Sequence, residues 1–70
     1  MINNDVLRSL RYSLKINDTE MLKVFREADY EVVLADLQAW LLPEEDAAQV
    51  HCSDEVLAHF LDGLVFYQRG

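Results

Sequence analysis

The clearest apolar pattern in the chain lies near its C-terminal end, between Ser53 and Gln68. At about 100° per residue, the apolar side chains of this stretch fall within about half of a helical wheel. They are Val56, Leu57, Phe60, Leu61, Leu64, Val65 and Tyr67. A stripe this wide suits a helix that several neighbours cover. Ser53 is a suitable N-cap, and Asp54 and Glu55 place negative charge where the helix dipole favours it. We therefore predict a central helix over residues 53–68.

A second amphipathic pattern predicts a helix over residues 4–16, with Asn3 or Asn4 as its N-cap. Its apolar face repeats with helical spacing and consists of Val6, Leu7, Leu10 and Leu14. Tyr12 points away from the centre of that face, so we expect a partly exposed ring.

Two shorter helices are predicted between these, over residues 19–28 and 33–42. Asn17 and Glu20 have the spacing of a capping box, and Pro43 ends the later helix. Residues 29–32 are expected to form an extended link. The predicted buried side chains are Met21, Val24, Phe25 and Ala28 in one helix, and Leu34, Leu37 and Leu41 in the other.

Trp40 has two interpretations: an anchor that caps a binding groove, or a core residue that locks the third helix to the fourth. We favour the core interpretation. Gly63 lies just outside the apolar arc of the last helix, and its role also has two interpretations. It either permits close approach of another backbone, or it is a tolerated glycine that costs about 1 kcal/mol relative to alanine. Val50 is expected to pack beneath the last helix.

These elements predict an all-α fold: one domain over residues 1–70, with four helices around one small core. Domains of this size bury only about 60% of the surface of the unfolded chain, so they often need a disulfide, a metal or a partner. Cys52 is the single cysteine, so no internal disulfide can form. A lone cysteine, no recognisable signal peptide and no long apolar run predict a cytoplasmic protein without membrane association.

The net charge of −7 is unevenly distributed along the chain. Residues 1–30 carry five basic and five acidic side chains, whereas residues 31–70 carry one basic and eight acidic ones. Because phosphate neutralisation dominates nucleic-acid affinity, any nucleic acid has to bind the first two helices. A helix-turn-helix interpretation of the second and third helices is weak, since the stretch LADLQAWLL contains no lysine or arginine.

Arg8, Arg11 and Lys15 form a basic stripe along the first helix. They could contact phosphate, as in a nucleic-acid-associated regulator. Alternatively they form a solvated face, or pair with the acidic half of the chain. We favour the second interpretation.

His51, Cys52, Glu55 and His59 are the one group of clustered metal-capable side chains. Strong zinc signatures have two ligand pairs at defined spacing, and this group lacks a second pair. The position of Cys52 before a helix N-terminus would lower its thiol pKa, but no base can be assigned to it. The chain also lacks nucleotide-binding and hydrolase motifs. We therefore expect no catalytic residues, metal or cofactor.

Phe66 is the best sequence clue to function, because it falls on the polar side of the last helix near His59 and Asp62. Aromatic side chains are enriched at protein interfaces. Tyr12 is a second candidate. We predict that these four residues contribute to a surface that binds another protein or a second copy of this one.

Several stretches, in this order and spacing, resemble the YehS-type bacterial family, a domain family of unknown function. They are Asn3-Asn4-Asp5-Val6-Leu7-Arg8-Ser9-Leu10-Arg11-Tyr12, Ala39-Trp40-Leu41, Glu44-Glu45-Asp46, Cys52-Ser53-Asp54, Phe60-Leu61-Asp62-Gly63-Leu64 and Arg69-Gly70. The resemblance implies tandem copies of the domain, of which residues 1–70 make one, and hence a tendency to self-associate. It transfers no catalytic residue. Val33 departs from the family's pattern, which has a polar capping residue there, so the start of the third helix is uncertain.

Overall fold

The computed structural model describes residues 1–69, which contain four α-helices and no strand. The helices are α1 (Asn3–Leu14), α2 (Asp18–Glu27), α3 (Leu34–Leu41) and α4 (Asp54–Arg69). The most extensive interhelical contact joins α2 and α4, while α1 packs against α3 and α4. The predicted all-α bundle is confirmed.

Phe25 of α2 lies at the middle of the core and meets three other rings. Its ring centroid is 5.1 Å from that of Phe60, 6.0 Å from Trp40 and 6.1 Å from Tyr30. Tilted aromatic pairs at these separations add to the stability that area burial provides. Trp40 is only 8% exposed, which confirms that it is a core residue. Its ring contacts Phe25 of α2, whereas the prediction had it lock the third helix to the fourth. The remaining buried apolar residues are Leu7, Met21, Val24, Leu37, Cys52, Val56 and Leu64.

Gly63 lies at a close approach of the α4 backbone to the α2 backbone. A Cβ atom added at Gly63 would lie 1.9 Å from the carbonyl oxygen of Val24, far inside van der Waals contact. The close-approach interpretation is therefore the right one. The glycine allows the α2 backbone to pack directly on α4, which brings Phe25 and Phe60 together.

The N-terminus of α1 differs from the prediction. Ile2 is the N-cap, and its amide donates a hydrogen bond to Asp5 Oδ2 at 3.1 Å. Asn3 and Asn4 instead lie within the helix and bind distant backbone. Asn3 Nδ2 donates to the Cys52 carbonyl at 3.1 Å and to Asp54 Oδ1 at 2.7 Å.

Asn4 is fully buried and connects three segments of the chain. Its Nδ2 donates to the carbonyl oxygens of Trp40 (3.0 Å) and Val50 (2.8 Å), and its Oδ1 accepts from the Cys52 amide at 3.0 Å. Residues 42–53 contain no regular helix, so their buried backbone groups need other partners. A primary amide supplies both donors and an acceptor, which explains asparagine at this position.

Both α1 and α2 end in a Schellman motif whose left-handed residue is not glycine. Lys15 has φ 55° and Asp29 has φ 58°. After α2, the Tyr30 amide donates to the Phe25 carbonyl at 3.1 Å and the Asp29 amide to that of Arg26 at 2.8 Å. The left-handed turn at Lys15 ends α1 at Leu14 rather than at the predicted residue 16, and the turn at Asp29 replaces the start of the predicted extended link.

The predicted caps of α2 and α4 are confirmed. The Glu20 amide donates to Asn17 Oδ1 at 2.8 Å, and the Asn17 amide donates to Glu20 Oε1 at 3.1 Å, which completes the capping box. The Val56 amide donates to Ser53 Oγ at 3.1 Å. Val33 precedes α3 without a side-chain cap.

Four apolar residues that were expected to be buried are about half exposed instead: Leu34, Val50, Leu61 and Val65. Four short helices cannot surround every apolar stripe, so a wide stripe is covered only in part. Val50 is held by its backbone, since its amide donates to the Ala39 carbonyl at 3.2 Å and its carbonyl binds Asn4. Its side chain therefore need not be buried.

Candidate protein-interaction surface

The outer side of α4 exposes three large apolar side chains, which we call the α4 face: Leu61, Val65 and Phe66. They are 44%, 54% and 53% exposed. Gly63 and Leu64, between them in sequence, point towards the core and are buried. The α4 face is therefore the side of the helix that α2 leaves uncovered. Clustered exposed apolar residues are typical of interaction sites, whereas single ones are ordinary.

A cleft adjoins the α4 face between the C-terminal end of α2 and α4, with a volume of about 550 Å³. We call it the α2–α4 cleft. It is lined by Glu27, Ala28, Asp29, His59, Asp62, Val65 and Phe66. Apolar side chains thus lie beside the carboxylates of Glu27, Asp29 and Asp62. The surface offers an apolar contact area with an acidic margin.

Three of the four predicted interaction residues, Phe66, His59 and Asp62, line this one cleft. Tyr12 does not. It lies on α1, outside the cleft, and is 86% exposed. Glu27 and Asp29 were not predicted as site residues, because only the packing of α2 on α4 brings them to the cleft.

His59 is held in the cleft wall by stacking on Tyr30. Their ring centroids are 4.1 Å apart and the planes differ by 15°. Tyr30 in turn follows the left-handed residue Asp29 and packs on Phe25. The turn after α2 therefore orients one wall of the cleft. An aspartate followed by an aromatic residue at a helix end is the sequence signal that could have indicated this turn.

The basic stripe of α1 is largely engaged within the domain. Arg8 binds the Asp5 carboxylate and the Leu42 carbonyl, and Arg11 pairs with Asp18 at 3.2 Å. These two arginines therefore pair within the domain, but not with the acidic half of the chain as expected. Their carboxylate partners lie in the electrically neutral first part of the chain rather than in the acidic part. Lys15 is exposed and takes part in no ion pair among residues 1–69.

Arg11 and Asp18 also line a second, shallower cleft of about 400 Å³ with Gln38, Leu41, Leu42 and Pro43. The Arg11 Nε atom is buried there without a hydrogen-bond partner. The Arg11 Nη2 atom pairs with Asp18 Oδ1, which neutralises part of the charge of the guanidinium.

Cys52 is fully buried, and its environment opposes thiolate formation. Burial raises the pKa of the Cys52 thiol, and the negative charge of Asp54 raises it further. These effects outweigh the influence of the helix N-terminus that the sequence position suggested. Within residues 1–69, no three histidine, cysteine, aspartate or glutamate side chains lie close enough together to hold a metal ion.

Tyr67 connects the end of α4 to the start of α2. Its phenol donates a hydrogen bond to Glu20 Oε2 at 3.2 Å. Partial burial raises the pKa of Tyr67, and so do the charge of Glu20 and this hydrogen bond. Glu20 thereby serves both the cap of α2 and the contact with α4.

The sequence is similar to that of a known protein family. Residues 3–70 match the family described as "Protein of unknown function (DUF1456)". The chain belongs to this family. That description assigns no activity and no ligand.

A relative in Escherichia coli (strain K12), "Uncharacterized protein YehS", is 36% identical to the chain over 70 residues. The match covers the whole of this chain but 45% of YehS. The chain thus spans about half the length of this relative, which is long enough to hold another domain of the same size. No solved structure matches the chain. Among the described residues, no helix combines the length and the hydropathy needed to cross a membrane.

Proposed function

We propose that this domain is a protein-interaction module that docks through the α4 face and the α2–α4 cleft. The partner we infer is a second copy of the same helical domain, either in another chain or within a longer chain. The observation that carries this proposal is the continuity of half-exposed Leu61, Val65 and Phe66 with a cleft that two of them line. The proposal assigns binding rather than catalysis to this domain, which acts in the cytoplasm.

The energetics favour association at high local concentration. Complete burial of a leucine, valine or phenylalanine contributes roughly 1.5–3 kcal/mol, so a half-exposed one has roughly 1 kcal/mol left to gain. Association itself costs an estimated 4–15 kcal/mol in lost freedom of motion. These three side chains alone therefore offset only part of that cost, so we expect pairing of separate chains to be weak.

A covalent link between copies changes this balance, because a short linker supplies an effective concentration of about millimolar. The length of YehS leaves room for a second domain of this size. Docking of one domain on another within a chain is therefore the setting in which the α4 face would be filled. A domain with so small a core also gains stability from such a contact.

The alternative is a nucleic-acid-associated regulator that uses Arg8, Arg11 and Lys15. It has less support, because Arg8 and Arg11 are bound to Asp5 and Asp18 and have little charge left for phosphate. Binding to DNA or RNA at low salt, lost when Lys15 is replaced by glutamate, would favour it over the interaction module.

Sedimentation equilibrium up to millimolar concentration tests the proposal. We expect the wild-type chain to self-associate and Phe66→Ser to weaken association at least about tenfold, since aromatic residues dominate interface energetics. Val33→Ser is the matched control, because Val33 is 63% exposed and lies outside the cleft. A wild-type chain that stays monomeric throughout this range would refute the proposal.

A further inference from the structure

The acidic margin of the α2–α4 cleft restricts what can bind it. Three carboxylates, those of Glu27, Asp29 and Asp62, line the cleft, whereas His59 is the one basic side chain among its lining residues. A two-fold symmetric pairing of two clefts would bring two such sets of carboxylates together. Like charges across an interface are unfavourable, so the cleft favours a partner surface that is apolar and basic.

The end of α1 is such a surface. Tyr12 is 86% exposed, although tyrosine is a large amphipathic side chain suited to burial at interfaces. Lys15 directly follows the last residue of α1, three positions after Tyr12, and has the left-handed conformation that ends the helix. The two side chains are thus close in the chain at the C-terminal end of α1. Lys15 is exposed and takes part in no ion pair among residues 1–69. We call Tyr12 and Lys15 the α1 end.

The other basic side chains that the structure describes are less suitable. Lys23 and Arg26 belong to α2, the helix that supplies one wall of the cleft, and no large apolar side chain of α2 is exposed beside them. Arg8 and Arg11 are engaged with Asp5 and Asp18. The α1 end therefore combines an exposed ring with an available positive charge.

We propose that the α2–α4 cleft of one copy binds the α1 end of a second copy. The Tyr12 ring packs against Phe66, and the Lys15 ammonium faces the carboxylates that line the cleft. This inference rests on the proposed function and adds which surface of the second copy is bound. Because the two surfaces differ, the contact is head-to-tail, and separate chains grow beyond a dimer unless the geometry closes a ring.

A mixing experiment distinguishes this arrangement from symmetric pairing. Tyr12→Ser removes the ring but keeps the cleft, and Phe66→Ser alters the cleft but keeps the ring. Both side chains are exposed, so both variants should fold, which circular dichroism verifies. We expect each variant alone to self-associate at least about tenfold more weakly than the wild type. Isotope-labelled Phe66→Ser mixed with unlabelled Tyr12→Ser should form a saturable 1:1 complex, followed by chemical shifts, because one intact cleft and one intact α1 end remain.

The outcomes separate this inference from the proposed function. If Tyr12→Ser self-associates as strongly as the wild type while Phe66→Ser does not, the α1 end is not the partner, and the docking role of the α4 face stands. If the two variants form no complex on mixing, the inference is likewise refuted. If the wild type is monomeric up to millimolar concentration, the proposed function fails as well. Val33→Ser should behave as the wild type in every arm, and loss of association in it would contradict the assignment of both surfaces.

Discussion

Replacement of Gly63 by alanine tests the packing on which the fold depends. The new methyl group would lie 1.9 Å from the Val24 carbonyl oxygen, and ordinary contact begins near 3.4 Å. The obstacle is backbone of α2 rather than a flexible side chain, so the two helices have to move apart by more than about 1 Å. Such a movement loosens the contact of Phe25 with Phe60, whose ring centroids are 5.1 Å apart.

Two opposing effects determine the magnitude. Alanine is favoured over glycine in a helix interior by about 1 kcal/mol. Overpacking costs typically 1–3 kcal/mol, and more where the backbone has to shift. When the helices move apart, a gap of about 0.5–1 Å also removes a quarter to a half of the dispersion energy of each contact across it. We expect overpacking to dominate, with a net loss of about 2–3 kcal/mol. A domain of this length has a free energy of unfolding of about 4–10 kcal/mol, so the loss is a large share of it.

Urea denaturation and thermal melting followed by circular dichroism measure this effect at low protein concentration, where association is negligible. The expected loss lowers the Tm by about 10–20 °C. Ala58→Gly is the control for helix propensity, because Ala58 is exposed on the same helix, and it should cost about 1 kcal/mol. A Gly63→Ala variant as stable as the wild type, or more stable, would refute the close approach of α2 and α4.

Three further predictions concern other sites. Asn4→Ala should lower the free energy of unfolding by about 2–4 kcal/mol in urea denaturation, because it leaves two carbonyls and an amide without partners. Asn4→Asp should lower the free energy of unfolding further at neutral pH, and this loss should shrink on acidification. Equal stability of the wild type and both variants would contradict this. Lys15→Gly should raise the Tm by a few degrees, since glycine adopts positive φ without strain, and a lower Tm would count against the left-handed turn. Because the pKa of Cys52 is raised in the folded state, the unfolded chain loses its thiol proton first as the pH rises. The free energy of unfolding should therefore fall between the ordinary thiol pKa and the raised value. Cys52→Ala should flatten that part of the pH profile, and an unchanged slope would contradict burial of the thiol.

Local features were predictable from the sequence because they depend on residues within one or two helical turns. The apolar repeat of residues 53–68 indicates α4, and the spacing of Asn17 and Glu20 indicates the start of α2, where the observed capping box confirms it. Phe66 was predicted on the polar side of α4 from helical geometry alone, and its ring is half exposed. None of these three conclusions depends on which helix packs against which.

Tertiary structure decided the features that depend on residues far apart in the chain. Asn4 resembles a helix cap in sequence, but its partners at residues 40, 50 and 52 are known only once α1 lies against that loop. The helical pattern of α4 could not show which part of its stripe α2 covers, so Leu61 and Val65 were placed in the core. The cleft likewise requires Glu27 and Asp29 to meet His59 and Phe66 across two helices. Periodicity specifies the direction in which a side chain points from its own helix, whereas its surroundings depend on the position of every other helix.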